Sequence, residues 1–253
     1  MVRPCLAVLL AALVVPLQPL AQDFDREKRW ADEIVPGLVV GEAVWLDGPG
    51  SRRFLGLLTE TRNAPAAVLL VHGVGVHPDH GLIGSLRTSL ADAGYTTLSI
   101  QMPVQKADAA LADYHPTVFP NAVERIRSAG RWLSAKGHRR IVLLSHSMGS
   151  WMSNVHFEET ADAPFAAWIS MGLTGGYGSL RNVKVPMFDV YGENDLPQVM
   201  RADWRRRMSI GAIAGSRQLK IAGADHFYAG KEKELTAAIH AFIREQVLAS
   251  APK

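Results

Sequence analysis

Apolar residues along this chain fall into short continuous runs, and between the runs they recur at helical spacing. Residues 66–71, 95–100, 166–171 and 185–191 are strand-like runs, and 217–222 reads as a further short strand. Ile141-Val-Leu-Leu144, with basic residues before it and small ones after, suits a central strand of a parallel sheet buried on both faces. Between the strands, Leu82, Ile83, Leu86 and Leu90 line one side of a helix predicted over 81–93, which Gly94 ends. Val123, Ile126, Ala129, Trp132 and Leu133 do the same over 121–135, with Gly137 as the stop. Near the start, 38–46 and 52–60 read as two strands joined by Asp47-Gly-Pro-Gly-Ser51, a hairpin-type turn that predicts an antiparallel edge. The charged stretch 22–36 predicts a short helix or an arm. Residues 101–120 read as a long loop carrying Pro103, Pro116 and Pro120, positioned to overhang whatever site the sheet carries. The fold class is α/β: a mostly parallel twisted sheet with an antiparallel N-terminal edge and helices on both faces. No insertion is long enough for a large cap domain.

The apolar run at Ile141 ends in Ser145-His146-Ser147-Met148-Gly149, after which a helix is predicted to Glu159. A serine on so tight a strand-to-helix turn is strained and projects above the sheet, and its neighbours must be small because the helix passes close to the strand end. Ser147 is therefore the candidate nucleophile. Ser145 stands where the usual pattern has glycine, a departure that must tolerate the same crowding. Two later strand-end loops carry the residue types a serine nucleophile needs, in the order acid then histidine. Gly192-Glu-Asn-Asp-Leu-Pro197 follows one strand and Gly223-Ala-Asp-His-Phe227 follows another. Asp195 lies 48 residues after Ser147, and His226 lies 31 after Asp195, each enough for a helix and a strand between loops. His226 is the candidate general base and Asp195 the group that orients it. Glu193 competes as the acid, but it begins the turn and is less well placed to reach inward. Asp189 reads as a buried carboxylate or a residue at a strand end, and Asp225 as a group that fixes the histidine's loop. His146, Trp151, Tyr177 and Phe227 neighbour the site in sequence and are candidate pocket-lining residues.

These features resemble the α/β hydrolases, and the resemblance runs from about Gly37 to Val247. Val68-Leu-Leu-Val-His-Gly-Val-Gly75 is similar to the His-Gly segment that follows the third strand in that superfamily. His77-Pro-Asp-His80, Leu86-Arg87 and Thr97-Leu-Ser-Ile-Gln-Met-Pro103 resemble a bacterial, exported branch of domains of unknown function. The resemblance implies a single α/β-hydrolase domain over 37–253 and an oxyanion hole built from the backbone amides of Val74 and Met148. It implies a serine hydrolase that cleaves an ester, or less readily a thioester or amide, through an acyl-enzyme on Ser147. The contrasting reading is a silent hydrolase-fold binding module, which a broken link in the Ser147, His226, Asp195 chain would favour. A third, metal-dependent reading rests on His77, Asp79 and His80, but no further ligand of matching context follows them, and a surface or pocket-lining loop is the better account. No metal is expected. His72 is expected to bond backbone in its loop.

Composition narrows the rest. Lys+Arg 27 against Asp+Glu 24 leaves a net charge of +3, and the only basic cluster, Arg205-Arg-Arg207, reads as the solvated face of a helix. No aromatic and basic interleaving points to nucleic acid. No glycine loop has the spacing of a phosphate or dinucleotide site, so no cofactor is expected; the partner that the resemblance implies is a small-molecule ester. Arg3, the apolar run from Pro4 to Leu20 and the small Ala21 predict a signal peptide over 1–21, with no stable membrane span after cleavage. The single cysteine, Cys5, falls inside that segment, so the mature chain has no disulfide. A bacterial periplasm fits, and secretion beyond it stays open.

Overall fold

A computed structural model describes residues 22–249. The signal segment and Cys5 lie outside the described residues. Eight strands form one mixed sheet in the order β1-β2-β4-β3-β5-β6-β7-β8. β1 (Glu42–Asp47) and β2 (Arg53–Thr59) make the antiparallel edge, and β2 also runs antiparallel to β4. β3 (Ala67–Val71), β4 (Thr96–Ile100), β5 (Ile141–His146), β6 (Ala167–Met171), β7 (Met187–Asn194) and β8 (Arg217–Asp225) are parallel. Every residue of β3, β4, β5 and β6 is buried, which is why these segments show no alternation in sequence.

Helices cover both faces. α2 (Gly81–Asp92) and α7 (Glu232–Ile243) close one core, with Leu86, Leu90, Ile239 and Phe242 packed on Val68, Leu144 and Val190. α3 (Leu111–Ala135), α4 (Met148–Glu159) and α6 (Asp203–Ile210) close the other, through Ile126, Phe157 and Ile210 against Leu69, Leu143 and Trp168. α5 (Pro197–Met200) is a single turn between β7 and α6.

The segment 101–120 departs from the expected loop. Residues 101–105 run on buried from β4, and α3 begins at Leu111, so Pro116 and Pro120 lie inside one helix of 25 residues. Prolines in a helix interior each forfeit a backbone hydrogen bond. Burial of Tyr114, Val118 and Phe119 in the core offsets that loss. The overhang expected of this segment is real, but it is helical.

The charged N-terminal stretch forms α1 (Phe24–Ile34), capped by Asp23, whose side chain accepts from the Arg26 amide at 2.9 Å. Ala31 packs on Leu55 and Leu57 of β2. Glu27 is buried and paired with the still more buried Arg125 at 2.7 Å. Arg26 reaches further: its guanidinium donates to the carbonyls of Gln105 (2.9 Å) and Gly75 (3.2 Å), tying α1 to the loop after β3.

Candidate active site

The loops at the carboxyl ends of β3, β5, β7 and β8 meet above the sheet, where ligands bind in open α/β folds. Ser147 sits between β5 and α4 with φ 55° and ψ −123°, a conformation that costs a non-glycine residue roughly 1–3 kcal/mol. Its amide is fixed by the Met171 carbonyl at 2.8 Å. The small neighbours are explained by close approach. A Cβ on Gly149 would stand 2.5 Å from the His72 carbonyl oxygen, and one on Gly73 would stand 3.2 Å from the Ser147 Cβ. Ser145, the departure from the glycine pattern, is fully buried and accepts a hydrogen bond from the Trp168 indole at 2.9 Å. Its hydroxyl thus fills a space that glycine would leave and locks β5 to β6.

His226 Nε2 lies 3.0 Å from Ser147 Oγ, and His226 Nδ1 lies 2.6 Å from Asp195 Oδ1. The Asp195 side chain is fully buried and also accepts from the amides of Leu196 (2.7 Å) and Gly192 (3.2 Å). Burial alone would raise its carboxyl, but the hydrogen bond and charge of His226, with those two amides, hold it below the ordinary value. It is therefore an anion facing Nδ1, which fixes the imidazole with its proton on Nδ1 and its lone pair toward Ser147. Glu193 does not compete: it is exposed and accepts from the Gly223 amide at 2.9 Å, stapling the two loops. Asp225 accepts from the amides of Phe227 and Ala229 and so shapes the histidine's turn.

Val74 and Met148 border the same cavity as Ser147. Met148 is the first residue of α4, where the helix offers its amide no internal acceptor and the dipole favours negative charge. The cavity holds about 830 Å³. His146, Trp151 and Phe227 line it, as expected. Tyr177 does not. Its hydroxyl donates to Asp189 at 2.8 Å, while its ring stands edge-on to Trp168, so it is a partly buried residue packed against the core. The segment expected to overhang the site forms the opposite wall, where Leu111, His115 and Phe119 from the first turns of α3, residues the sequence did not single out as lining, face the cavity that His80 also lines.

His77, Asp79 and His80 do not converge as ligands. Both Asp79–Arg87 hydrogen bonds fall on Asp79 Oδ1, at 2.7 and 3.1 Å, while the His77 ring packs between Trp30 and His80. His72 bonds backbone: its Nδ1 donates to the Gly73 carbonyl at 2.7 Å and its Nε2 accepts from the Met102 amide at 2.9 Å.

Burial pushes His72 down to about 3 and His146 and His156 down to about 4. For His72 the Gly73 hydrogen bond opposes the shift, and for His146 the neighbouring His226 adds to it. All three fold neutral, whereas an unfolded histidine titrates near 6.5. Between those values the unfolded chain takes up protons that the folded chain refuses, so stability is intact above the unfolded value and is lost as pH falls toward 4. The urea midpoint should drop steadily from pH 7 to pH 4.5, with a linkage slope approaching three protons. A midpoint constant across that range would mean that these rings are charged in the fold.

Among solved structures the chain matches a dienelactone hydrolase from Anabaena variabilis with a TM-score of 0.67 and 21% identity, over 81% of this chain and 96% of that one. The strand order, the strained serine turn and this overlay agree. The chain has the α/β-hydrolase fold. A serine hydrolase without lid from Xanthomonas campestris matches this chain with a TM-score of 0.63 and 16% identity, over 85% and 98% of the two chains. Est1E from Butyrivibrio proteoclasticus matches with a TM-score of 0.64 and 16% identity, over 81% and 99%. The lidless neighbour accords with the open sheet, into which no cap is inserted among the described residues. Residues 5–123 match a family described as a protein of unknown function, DUF3530. No curated protein matches the chain.

Proposed function

We propose that this α/β hydrolase is an exported serine esterase that works through an acyl-enzyme on Ser147. The observation that carries the reading is the unbroken hydrogen-bonded chain from Ser147 through His226 to the buried Asp195 at the floor of a cavity. A binding module without turnover has no use for that connection. Est1E, the fold neighbour whose structure is also known with ferulic acid bound, and an esterase from Pyrococcus furiosus lend the ester reading support by fold.

In the proposed reaction the Ser147 hydroxyl attacks the ester carbonyl carbon and passes its proton to His226 Nε2. The carbonyl π electrons move to oxygen, where the amides of Val74 and Met148 meet the developing charge. Loss of one such donor typically costs ~3 kcal/mol of barrier. Asp195 stabilises the imidazolium formed beside it. Collapse of the tetrahedral intermediate breaks the bond to the alcohol, which leaves with the proton from His226. Water then enters by the same route in reverse, its proton going to His226 and its oxygen to the acyl carbon, and Ser147 is released with its proton restored. The same machinery would cleave a thioester or an amide. Export rests on the basic, apolar and small-residue order of residues 1–21, with cleavage after Ala21 delivering the chain to a bacterial periplasm.

A fluorophosphonate probe reacts only with a serine activated by a base and an oxyanion hole. The mature protein should be labelled with one equivalent, and Ser147→Ala should take none. Folded wild-type protein that refuses the probe would overturn the reading.

A further inference from the structure

The cavity above Ser147 is a selective chemical environment. Among the described residues no aspartate, glutamate, lysine or arginine lines it. Four imidazoles, of His80, His115, His146 and His226, are its titratable groups, and the rest of its walls is mostly aliphatic and aromatic: Ile83 and Leu82 from α2, Leu111 and Phe119 from α3, Trp151 from α4. The apolar character continues to the mouth, where Leu111 and Phe227 are each 62% exposed and Leu196 and Trp151 are 41% and 37% exposed. Soluble proteins seldom leave four large apolar side chains around one opening unless something apolar passes through it. The size is equally informative. At about 830 Å³ the cavity sits in the upper part of the roughly 300–1,000 Å³ range that accommodates drug-sized ligands. An acetyl group would leave nearly all of it filled with water against hydrocarbon.

We infer that the substrate is a neutral ester whose apolar part, an alkyl chain of about eight carbons or an aryl group of similar bulk, fills the trough between the first turns of α3 and the start of α4. The inference rests on Ser147 as the nucleophile, and it adds what that nucleophile is given to cut. The contacts it names differ from the catalytic ones: α3 contributes nothing to the Ser147, His226, Asp195 chain, yet its first turns form a whole wall of the cavity. A substrate with a carboxylate or phosphate near the scissile bond is disfavoured, because such a charge would be desolvated among mostly apolar walls with no lysine or arginine to meet it.

The test uses the mature protein and two ester series, one lengthening the acyl group on p-nitrophenol and one lengthening the alcohol on acetate. In the series whose variable part enters the trough, kcat/KM should rise about fourfold per methylene up to the octyl length. A p-nitrophenyl monoester of adipate should fall at least about a hundredfold below the neutral ester of equal length. Ala112→Trp narrows the trough at the α3 wall and should lower the ratio of octanoate to acetate hydrolysis. In parallel, calorimetry on Ser147→Ala compares methyl octanoate with methyl acetate. Labelled, active enzyme with flat chain-length profiles in both series overturns this inference and leaves the serine esterase standing. Unlabelled wild-type protein whose Ser147→Ala form still binds methyl octanoate in preference to acetate removes the esterase and keeps the apolar ligand class. Absence of both labelling and binding overturns both.

Discussion

Asp195→Asn should lower kcat of the proposed ester hydrolysis by about ten-thousandfold while leaving the chain folded. The reason lies in what surrounds the carboxylate. Every group bonded to it is a donor: His226 Nδ1 and the Leu196 amide on one oxygen, the Gly192 amide on the other. An asparagine brings a donor of its own into this ring of donors. With its amino group toward His226 it forces the imidazole into the tautomer that carries its proton on Nε2, facing Ser147, where no base is then available. With its oxygen toward His226 it sets amino group against the Gly192 amide and still removes the negative charge that stabilises the imidazolium. Labelling by the fluorophosphonate should slow in parallel, since it depends on the same base. Circular dichroism and urea unfolding check that the variant is folded, because Asp195 also organises the turn after β7. A loss of less than about tenfold in kcat would fall below what a positioned acid and base contribute and would take Asp195 out of the mechanism.

The serine turn and the two partner loops were legible in sequence because each is announced locally. A continuous apolar run marks a fully buried strand, and small or turn-forming residues after it mark a sheet end. Ser147, Asp195 and His226 each stand one step beyond such an end, which is where an open parallel sheet collects its functional groups. The pocket was only partly legible for the same reason. His146, Trp151 and Phe227 are neighbours of the site along the chain as well as in space. Leu111, His115 and Phe119 reach it only because α3 extends three turns further toward its N-terminus than the prolines suggested, and chain separation hid them. Tyr177 was misplaced by the opposite error: it is near the site in sequence, but its hydroxyl donates to Asp189.

One signal for that misplacement was present. Asp189 interrupts an apolar strand, and a carboxylate buried in a sheet must find a cation or be protonated. The chain's one run of three arginines, Arg205-Arg-Arg207, lies in α6, before the next strand. Read as a solvated face it explains Arg205 and Arg207, but the middle residue shares a helix side with Ile210, four positions on, and both are buried. Pairing the unexplained acid with the residue at that position would have found the ion pair without coordinates.

That pair is the strongest structural dependency near the site. Arg206 and Asp189 are both fully buried, with guanidinium Nε 3.0 and 3.1 Å from the two carboxylate oxygens. Asp189 also accepts from Tyr177 and from Gln218 at 2.6 Å. Arg206 Nη1 donates to the carbonyls of Leu173, Gly175 and Val199, so a single side chain ties the loop after β6 to the turn that follows Asp195. The loop it holds supports the cavity wall, since the Thr174 carbonyl accepts from the Trp151 indole at 2.8 Å, and it backs His226, whose Cε1 lies 3.0 Å from where a Gly172 Cβ would be. Arg206→Met keeps the volume and removes the charge, which strands Asp189 as a bare carboxylate in the core. The expected loss is about 3–5 kcal/mol in urea unfolding at neutral pH. Adding Asp189→Asn should recover a good part of it, because a neutral amide needs no cation: its oxygen can accept from Gln218 Nε2 while its amino group donates to the Tyr177 hydroxyl oxygen. Activity should follow a different course. The three carbonyls stay unclamped in the double variant, so KM should remain raised and fluorophosphonate labelling slow even where stability has returned. If the double variant regains neither stability nor rate, the charge is not the source of the damage, and if it regains both together, Arg206 serves the fold alone and the loop needs no clamp.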